Sequence, residues 1–247
     1  MRSARIGPYA LLCGLLLVVG AGLSSGTAYA AEGGDPLEPA NRKIFAFNDG
    51  VDRWLLRPVA QGYDRVTPDP VQRSIGNVFT NLGTPGVALN QLLQGKPKRA
   101  LEDFTRFLVN STVGIGGLFD VARANGLPRH EEDFGQTFAV WGLGEGPFLM
   151  LPFRGPANTG HAVGMVLDAF TNPAMLLRGR ERAAAVAVNV IDVRASLLSS
   201  ESLVSGDRYL FFRDAYQQRR EYLILDGQIE EDPFLDDYDD LDYEEEE

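Results

Sequence analysis

The chain is poor in the residues that most chemistry needs. Its one cysteine, Cys13, lies inside an N-terminal apolar run. A chain matured beyond that point has no thiol, hence no disulfide, no cysteine metal site and no cysteine nucleophile. The two histidines, His130 and His161, stand 31 positions apart without a ligand-spaced neighbour, which argues against a metal centre and for histidines of the surface or of loops. They leave little for a Ser-His-Asp triad, and no G-x-S-x-G elbow occurs. Gly114, Gly116 and Gly117 follow a helical stretch rather than a strand, so they do not form a dinucleotide fingerprint. Glu131 and Asp133 come nearest to an acid–base pair, and a solvated loop accounts for them. Nothing marks an enzyme, a cofactor or a metal site, and the lack of a dense basic patch argues against nucleic acid.

Long hydrophobic runs are also missing. The apolar stretch from Leu11 to Leu23 is about 13 residues, short of the roughly 20 that span a bilayer. Arg2 and Arg5 precede it and Ala28-Tyr29-Ala30 follows, the pattern of a secretory signal cleaved after Ala30. A lipobox places a small residue before its cysteine and the apolar run ahead of it. Here Leu12 precedes Cys13 and the run follows, so Cys13 is a small hydrophobe of the signal and lipidation is not expected.

The net charge of −11 is unevenly placed. From Glu230 onward the chain holds 12 of its 34 acidic residues and no basic one; with Arg2 and Arg5 of the leader also set aside, 22 acidic residues face 21 basic ones. The body is near neutral, and such an acidic block is expected to be a solvated, disordered tail. The organisation expected is therefore a signal over 1–30, one domain over 31–229 and an acidic tail over 230–247.

What the body does have is helical periodicity. Ile44, Phe47, Val51, Trp54 and Leu55 fall on one face of an amphipathic helix that should stop before Pro58. Val71, Ile75, Val78, Phe79 and Leu82 repeat the pattern, with Gly83 placed as a C-cap. Thr84-Pro85 then reads as the N-cap and first residue of a new helix closed by Gly95 and Pro97. Leu101, Phe104 and Leu108 form a third stripe. Further helices are expected over 159–172, over 179–200, where "AVAVNVIDV" alternates like a strand, and over 207–227. The sum is an all-α domain of about seven helices.

Between Asn110 and Thr159 the stripe fades, and nine of the 27 glycines and four of the 14 prolines gather there. Within it, "GEGPFLMLPFRGP" sets Phe148, Leu149, Met150, Leu151 and Phe153 among prolines that forbid a helix. The segment must be a loop or a bent extended piece. Its side chains either fold into the core or meet something other than water. Gly142, Gly144 and Gly146 precede it as candidate hinges.

Four blocks in order, "DPLEPANRKIFAFNDGVD" at 35–52, "IGNVFTNLGTP" with "NQLLQGK" at 75–96, "RFLVNSTVGIGGLFDVA" at 106–122 and "EDFGQTFAVWGLGEGPFLMLPFRGP" at 132–156, resemble the MlaA (VacJ) family of outer-membrane lipid-asymmetry proteins. The resemblance implies a ring-like helical domain in the inner leaflet of the outer membrane, at its periplasmic face, pierced by an amphipathic channel. Stray outer-leaflet phospholipid would pass through it to a soluble, MlaC-like periplasmic lipid carrier, with the protein docked on a porin trimer. Family members are typically lipoproteins, so the missing lipobox is a departure that leaves the mode of attachment open. Candidate lipid-path residues are Asn41, Arg42, Phe45, Phe47, Asn48 and Asp52 of the first block, Asn77 and Asn81, and the apolar stretch 148–153. Asn77 and Asn81, at i and i+4, suit either a neighbouring loop or a lipid headgroup. The other reading is a soluble periplasmic lipid-binding or scaffold protein without membrane insertion, which cell fractionation separates from the first.

Overall fold

In a computed structural model, residues 35–228 are described; the expected cleavage site, Cys13 and the acidic tail lie outside them. Nine α-helices and one two-stranded hairpin make up these residues: α1 (Glu38–Val51), α2 (Arg57–Val66), α3 (Asp69–Leu93), α4 (Pro97–Thr112), α5 (Val121–Ala124), α6 (Phe134–Val140), β1 (Phe148–Leu151), β2 (Gly155–Asn158), α7 (Thr159–Thr171), α8 (Gly179–Ser196) and α9 (Arg208–Ile224). The "AVAVNVIDV" stretch is helical, inside α8.

Two expected helix ends are absent. The first helix does not stop before Pro58: one π-turn, Asp52–Leu56, joins α1 to α2. It puts Pro58 in the first turn of α2, where a missing N–H is no loss. Nor does a helix end at Gly83, because α3 runs through with Pro85 inside it. Pro85 loses one rung of the ladder, but Gly86 packs so tightly on α7 that a Cβ there would lie 2.6 Å from Thr171 Oγ1. Packing outweighs the local stop signal. Gly95 does end the helix, in the left-handed region at φ +76°.

The apolar "FLML" segment is the extended piece expected there, a short strand within a mostly helical domain. β1 pairs antiparallel with β2, Phe148 opposite Asn158 and Leu151 opposite Gly155. Phe153, in the turn between them, has φ +60° and is 76% exposed. Phe148 and Met150 point inward onto Tyr209 of α9, with Ile44, Phe45, Leu210 and Tyr216 around them. This is the only apolar core cluster among the described residues.

Elsewhere the helices are inverted. On α4, Ala100, Asp103, Arg106 and Asn110 are buried, whereas Leu101, Phe104 and Leu108 are exposed. Buried Arg106 donates to both oxygens of Asp120 at 3.0 Å and to the Leu127 carbonyl. Asn110 ties Asp120 to the N–H of Ala122. On α3, Asn81, Thr84, Asn90 and Gln91 are buried, and Asn90 accepts from Thr137 of α6 at 2.7 Å. Trp54 on the π-turn is 84% exposed. Polar faces pack together and apolar faces look outward.

Candidate functional site

The position of the hairpin is set by two asparagines of α1. Asn41 donates to the Phe148 carbonyl at 3.1 Å and accepts from Met150 N–H at 2.8 Å. Asn48 donates to the Leu151 carbonyl at 2.9 Å and accepts from Phe153 N–H at 2.8 Å. A carboxamide carries one acceptor and one donor group, as a peptide does, so the pair substitutes for a third strand along the free edge of β1. The spacing fits: seven helical residues rise about 10.5 Å, and three strand residues advance about 10 Å. The clamp satisfies backbone that would otherwise be an open edge.

Beside this clamp lies a cavity of about 590 Å³, within the range usual for sites that hold small ligands. Phe45, Met150, Leu197, Leu203, Val204, Phe211 and Phe212 supply apolar wall; Asp49, Asp52, Arg53, Arg57, Arg194, Glu201 and Arg208 supply charge. The elements that meet there are α1, the π-turn, α2, the hairpin, α8, the turn at 198–203 and α9. Arg194 reaches from the last turn of α8 to Asp52 through Nε at 2.6 Å and Nη2 at 2.9 Å, and also pairs with Glu201. Its hydrogen bond to the Asp52 carboxylate raises the pKa of the Arg194 guanidinium above its ordinary value, so it stays charged. Asp52, on the π-turn, is thereby turned from a surface charge into a tie between chain segments 142 residues apart.

Of the residues singled out in the sequence, Phe45, Asn48, Asp52 and Met150 line this cavity. Arg42 pairs with Glu38 at 2.6 Å and Asp207 at 2.8 Å and lies over the Tyr209 ring. Phe47 meets Phe153 edge to face at 5.1 Å on the outside. Asn77 donates to the Leu118 carbonyl of a neighbouring loop and Asn81 to Ser111 Oγ in the last turn of α4. Gly117, whose added Cβ would lie 2.6 Å from Asn81 Cβ, lets that loop close. Phe148 is core, and Leu149 and Leu151 are half-buried.

Gly142, Gly144 and Gly146 all sit in the left-handed region, at φ +81°, +71° and +69°. The loop they form is anchored by Glu145, which accepts from Asn158 at 2.5 Å. His130 is half-buried in the loop before α6, as expected, whereas His161 lies within α7 and Asp133 is tied down rather than solvated. His130 lies 3.1 Å from Asp103, and His161 lies 2.9 Å from the Tyr216 hydroxyl. Asp133 caps α6 and binds Arg220 at 2.5 Å. Burial pushes the Asp133 carboxyl up, but Arg220 outweighs it and holds the group below its ordinary range.

The reading of the sequence missed Arg57, Arg194, Glu201, Arg208, Phe211 and Phe212 as cavity residues. The one signal for them was that Asp49 and Asp52, on a helix whose opposite face is apolar, need counter-charges from elsewhere.

Outward apolar faces on α3 and α4, with an amphipathic cavity lined by other elements beside the hairpin core, are the features of a membrane-associated helical protein. The family described as MlaA lipoprotein matches residues 33–223. The intermembrane phospholipid transport system lipoprotein MlaA of Escherichia coli strain K12 is 36% identical over 226 residues, 89% of either chain. Its counterpart from Haemophilus influenzae is 32% identical over 89% of this chain and 91% of that one. A solved structure reported as the structural basis for maintenance of bacterial outer membrane lipid asymmetry has 36% identity and a TM-score of 0.70, covering 77% of this chain and 99% of the other. The chain belongs to the MlaA lipoprotein family.

Proposed function

We propose that the 590 Å³ cavity is the path along which a phospholipid crosses this protein, with the outward apolar faces of the helices set in lipid. Its function is intermembrane phospholipid transport in the maintenance of outer-membrane lipid asymmetry, its place the outer membrane. The family's role is transport and not catalysis. The observation that carries the lipid-path reading is the inversion: Leu101, Phe104 and Leu108 exposed while Asp103, Arg106 and Asn110 of the same helix are buried. In water that arrangement discards about 25 cal/mol for each Å² of apolar surface left wet; in acyl chains it discards nothing. Among the described residues no helix is long and apolar enough to cross a membrane. In this reading the body lies in the inner leaflet, open to the periplasm. From there lipid passes to a soluble, MlaC-like periplasmic carrier, and the exposed faces dock on a porin trimer. A leader cleaved after Ala30 without lipidation completes the reading: the mature chain begins Ala-Glu-Gly-Gly-Asp, and Cys13→Ala leaves localisation unchanged.

The test fills the path. Val204→Trp places an indole in the cavity. Phospholipid should accumulate in the outer leaflet and cells should become detergent-sensitive, with thermal melting and outer-membrane fractionation as in the unmodified protein. Unchanged asymmetry overturns the path.

The loop at 142–146 is proposed as the hinge that lets the hairpin move. Because its three glycines are left-handed, alanine would strain them. Asparagine, which tolerates that region, is the substitution that stiffens the hinge without unfolding it. Gly142→Asn with Gly144→Asn should raise outer-leaflet phospholipid with melting preserved; wild-type asymmetry returns the loop to plain packing.

A further inference from the structure

The charges of the cavity do not balance. Arg53, Arg57, Arg194 and Arg208 face Asp49, Asp52 and Glu201, an excess of one positive charge. Asp49 lies between Arg53 and Arg208, at 2.5 Å from each. Glu201 lies between Arg57, at 2.6 Å, and Arg194. Asp52 takes both remaining contacts of Arg194. Arg194 is thus shared between two carboxylates, whereas Arg53, Arg57 and Arg208 are the exposed members. Each of the three has a single carboxylate within 4.0 Å among the described residues, and a guanidinium has five N–H donors.

Two of these arginines are redundant for holding the carboxylates. Without Arg208, Asp49 keeps Arg53; without Arg57, Glu201 keeps Arg194. No carboxylate of the cavity is left without a guanidinium when both are removed. A phosphodiester is a monoanion that cancels the excess, and its oxygens match the planar guanidinium fork. Attached to two acyl chains, it also accounts for the apolar wall of Phe45, Met150, Leu203, Val204, Phe211 and Phe212. Resting on the lipid-path reading above, we propose that Arg53, Arg57 and Arg208 hold the phosphodiester of a glycerophospholipid in this cavity. Recognition stops at the phosphate, since the carboxylates are already engaged by arginines, and ethanolamine and glycerol headgroups bind alike.

The experiment uses the full mature chain in detergent, incubated with equimolar phosphatidylethanolamine, phosphatidylglycerol and diacylglycerol of the same acyl chains, with bound lipid counted by native mass spectrometry. The unmodified protein should take the two phospholipids equally and prefer them to diacylglycerol by about tenfold or more, the scale of one charge-assisted hydrogen bond. Arg57→Gln with Arg208→Gln should erase that preference while still binding diacylglycerol, and the corresponding lysine pair should restore part of it. Equal binding of phospholipid and diacylglycerol by the unmodified protein overturns phosphate recognition but leaves the lipid path intact. Binding of none of the three by any variant overturns the path as well. A separate arm offers sn-glycerol 3-phosphate alone; if it competes as strongly as phospholipid, the arginines serve a soluble phosphate and the lipid assignment fails.

Discussion

The β1–β2 hairpin and the α3–α4 pair solve the packing problem in opposite ways. The hairpin buries Phe148 and Met150 against Tyr209 and turns its backbone edge toward two asparagines. The α3–α4 pair buries Asp103, Arg106, Asn110, Asn81 and Gln91 and leaves Leu101, Phe104, Leu108 and Leu92 outside. The first is how a protein packs in water. The second is stable only if what lies outside is apolar, because water would hydrate those leucines unfavourably and compete for the buried polar groups. One chain therefore reports two environments, and the cavity lies on the side of the conventional core, lined by Phe45 and Met150.

The largest expected effect comes from breaking the polar interior. Arg106→Leu leaves the Asp120 carboxylate and the Leu127 carbonyl without their guanidinium. Removing one member of a buried pair costs about 3–5 kcal/mol, which thermal melting in detergent should register as a large drop. Next comes the hairpin edge. Asn41→Ala strands the Phe148 carbonyl and Met150 N–H in a buried site, at about 1–3 kcal/mol for each unsatisfied group. Its signature should be faster hydrogen exchange at Met150 with the α3–α4 amides unaffected.

A smaller effect, of opposite sign, is expected at Asp168 of α7. Burial raises its carboxyl to about 6, although the Phe134 N–H at 3.2 Å favours the anion. The folded pKa is above the unfolded one, near 3.9. The stabilising contribution of the protonated group is complete below about 4 and is lost as pH rises through about 6. Asp168→Asn keeps the acceptor for Phe134, so it should stabilise at pH 7.5 by something on the order of 1 kcal/mol after solvent screening. Melting at pH 3.5 should show no difference between the two proteins.

The smallest effect on stability sharpens the contrast most. Leu101→Ser, Phe104→Ser and Leu108→Ser combined should shift melting in detergent by little, since these side chains are exposed and surface changes cost within about 0.5 kcal/mol each. Flotation with phosphatidylethanolamine–phosphatidylglycerol vesicles should nonetheless fall by more than tenfold, because each lost side chain forfeits about 1.5–3 kcal/mol of burial in lipid. Unchanged flotation would mean that this face does not meet the bilayer.

Much of the architecture is legible in residue spacing. The stripes at 101–108 and 159–172 are helices α4 and α7, and the prolines around "FLMLPF" do forbid a helix there. The two misplaced helix ends share one cause. Pro58 and Pro85 are local stop signals, and each was overridden by something distant or unusual: a π-turn in one case and the fit of Gly86 against Thr171 in the other. Asn41 and Asn48 are named in the sequence only among the candidate lipid-path residues of the first block. Their partners are backbone atoms more than 100 residues away, and no pattern in either segment names the other.

The sequence by itself determined the amphipathicity of the helices and the exclusion of helix from the apolar segment, because these follow from side-chain period and proline sterics within a few residues. Only the tertiary structure decided which face of α4 looks inward. A periodic stripe has a direction on the helix but none in space, and the same stripe serves a core in water or a coat in lipid. It alone also gathered Arg57, Arg194 and Arg208 around Asp49, Asp52 and Glu201. Charges pair through space at a few ångströms, and chain order carries no record of that distance.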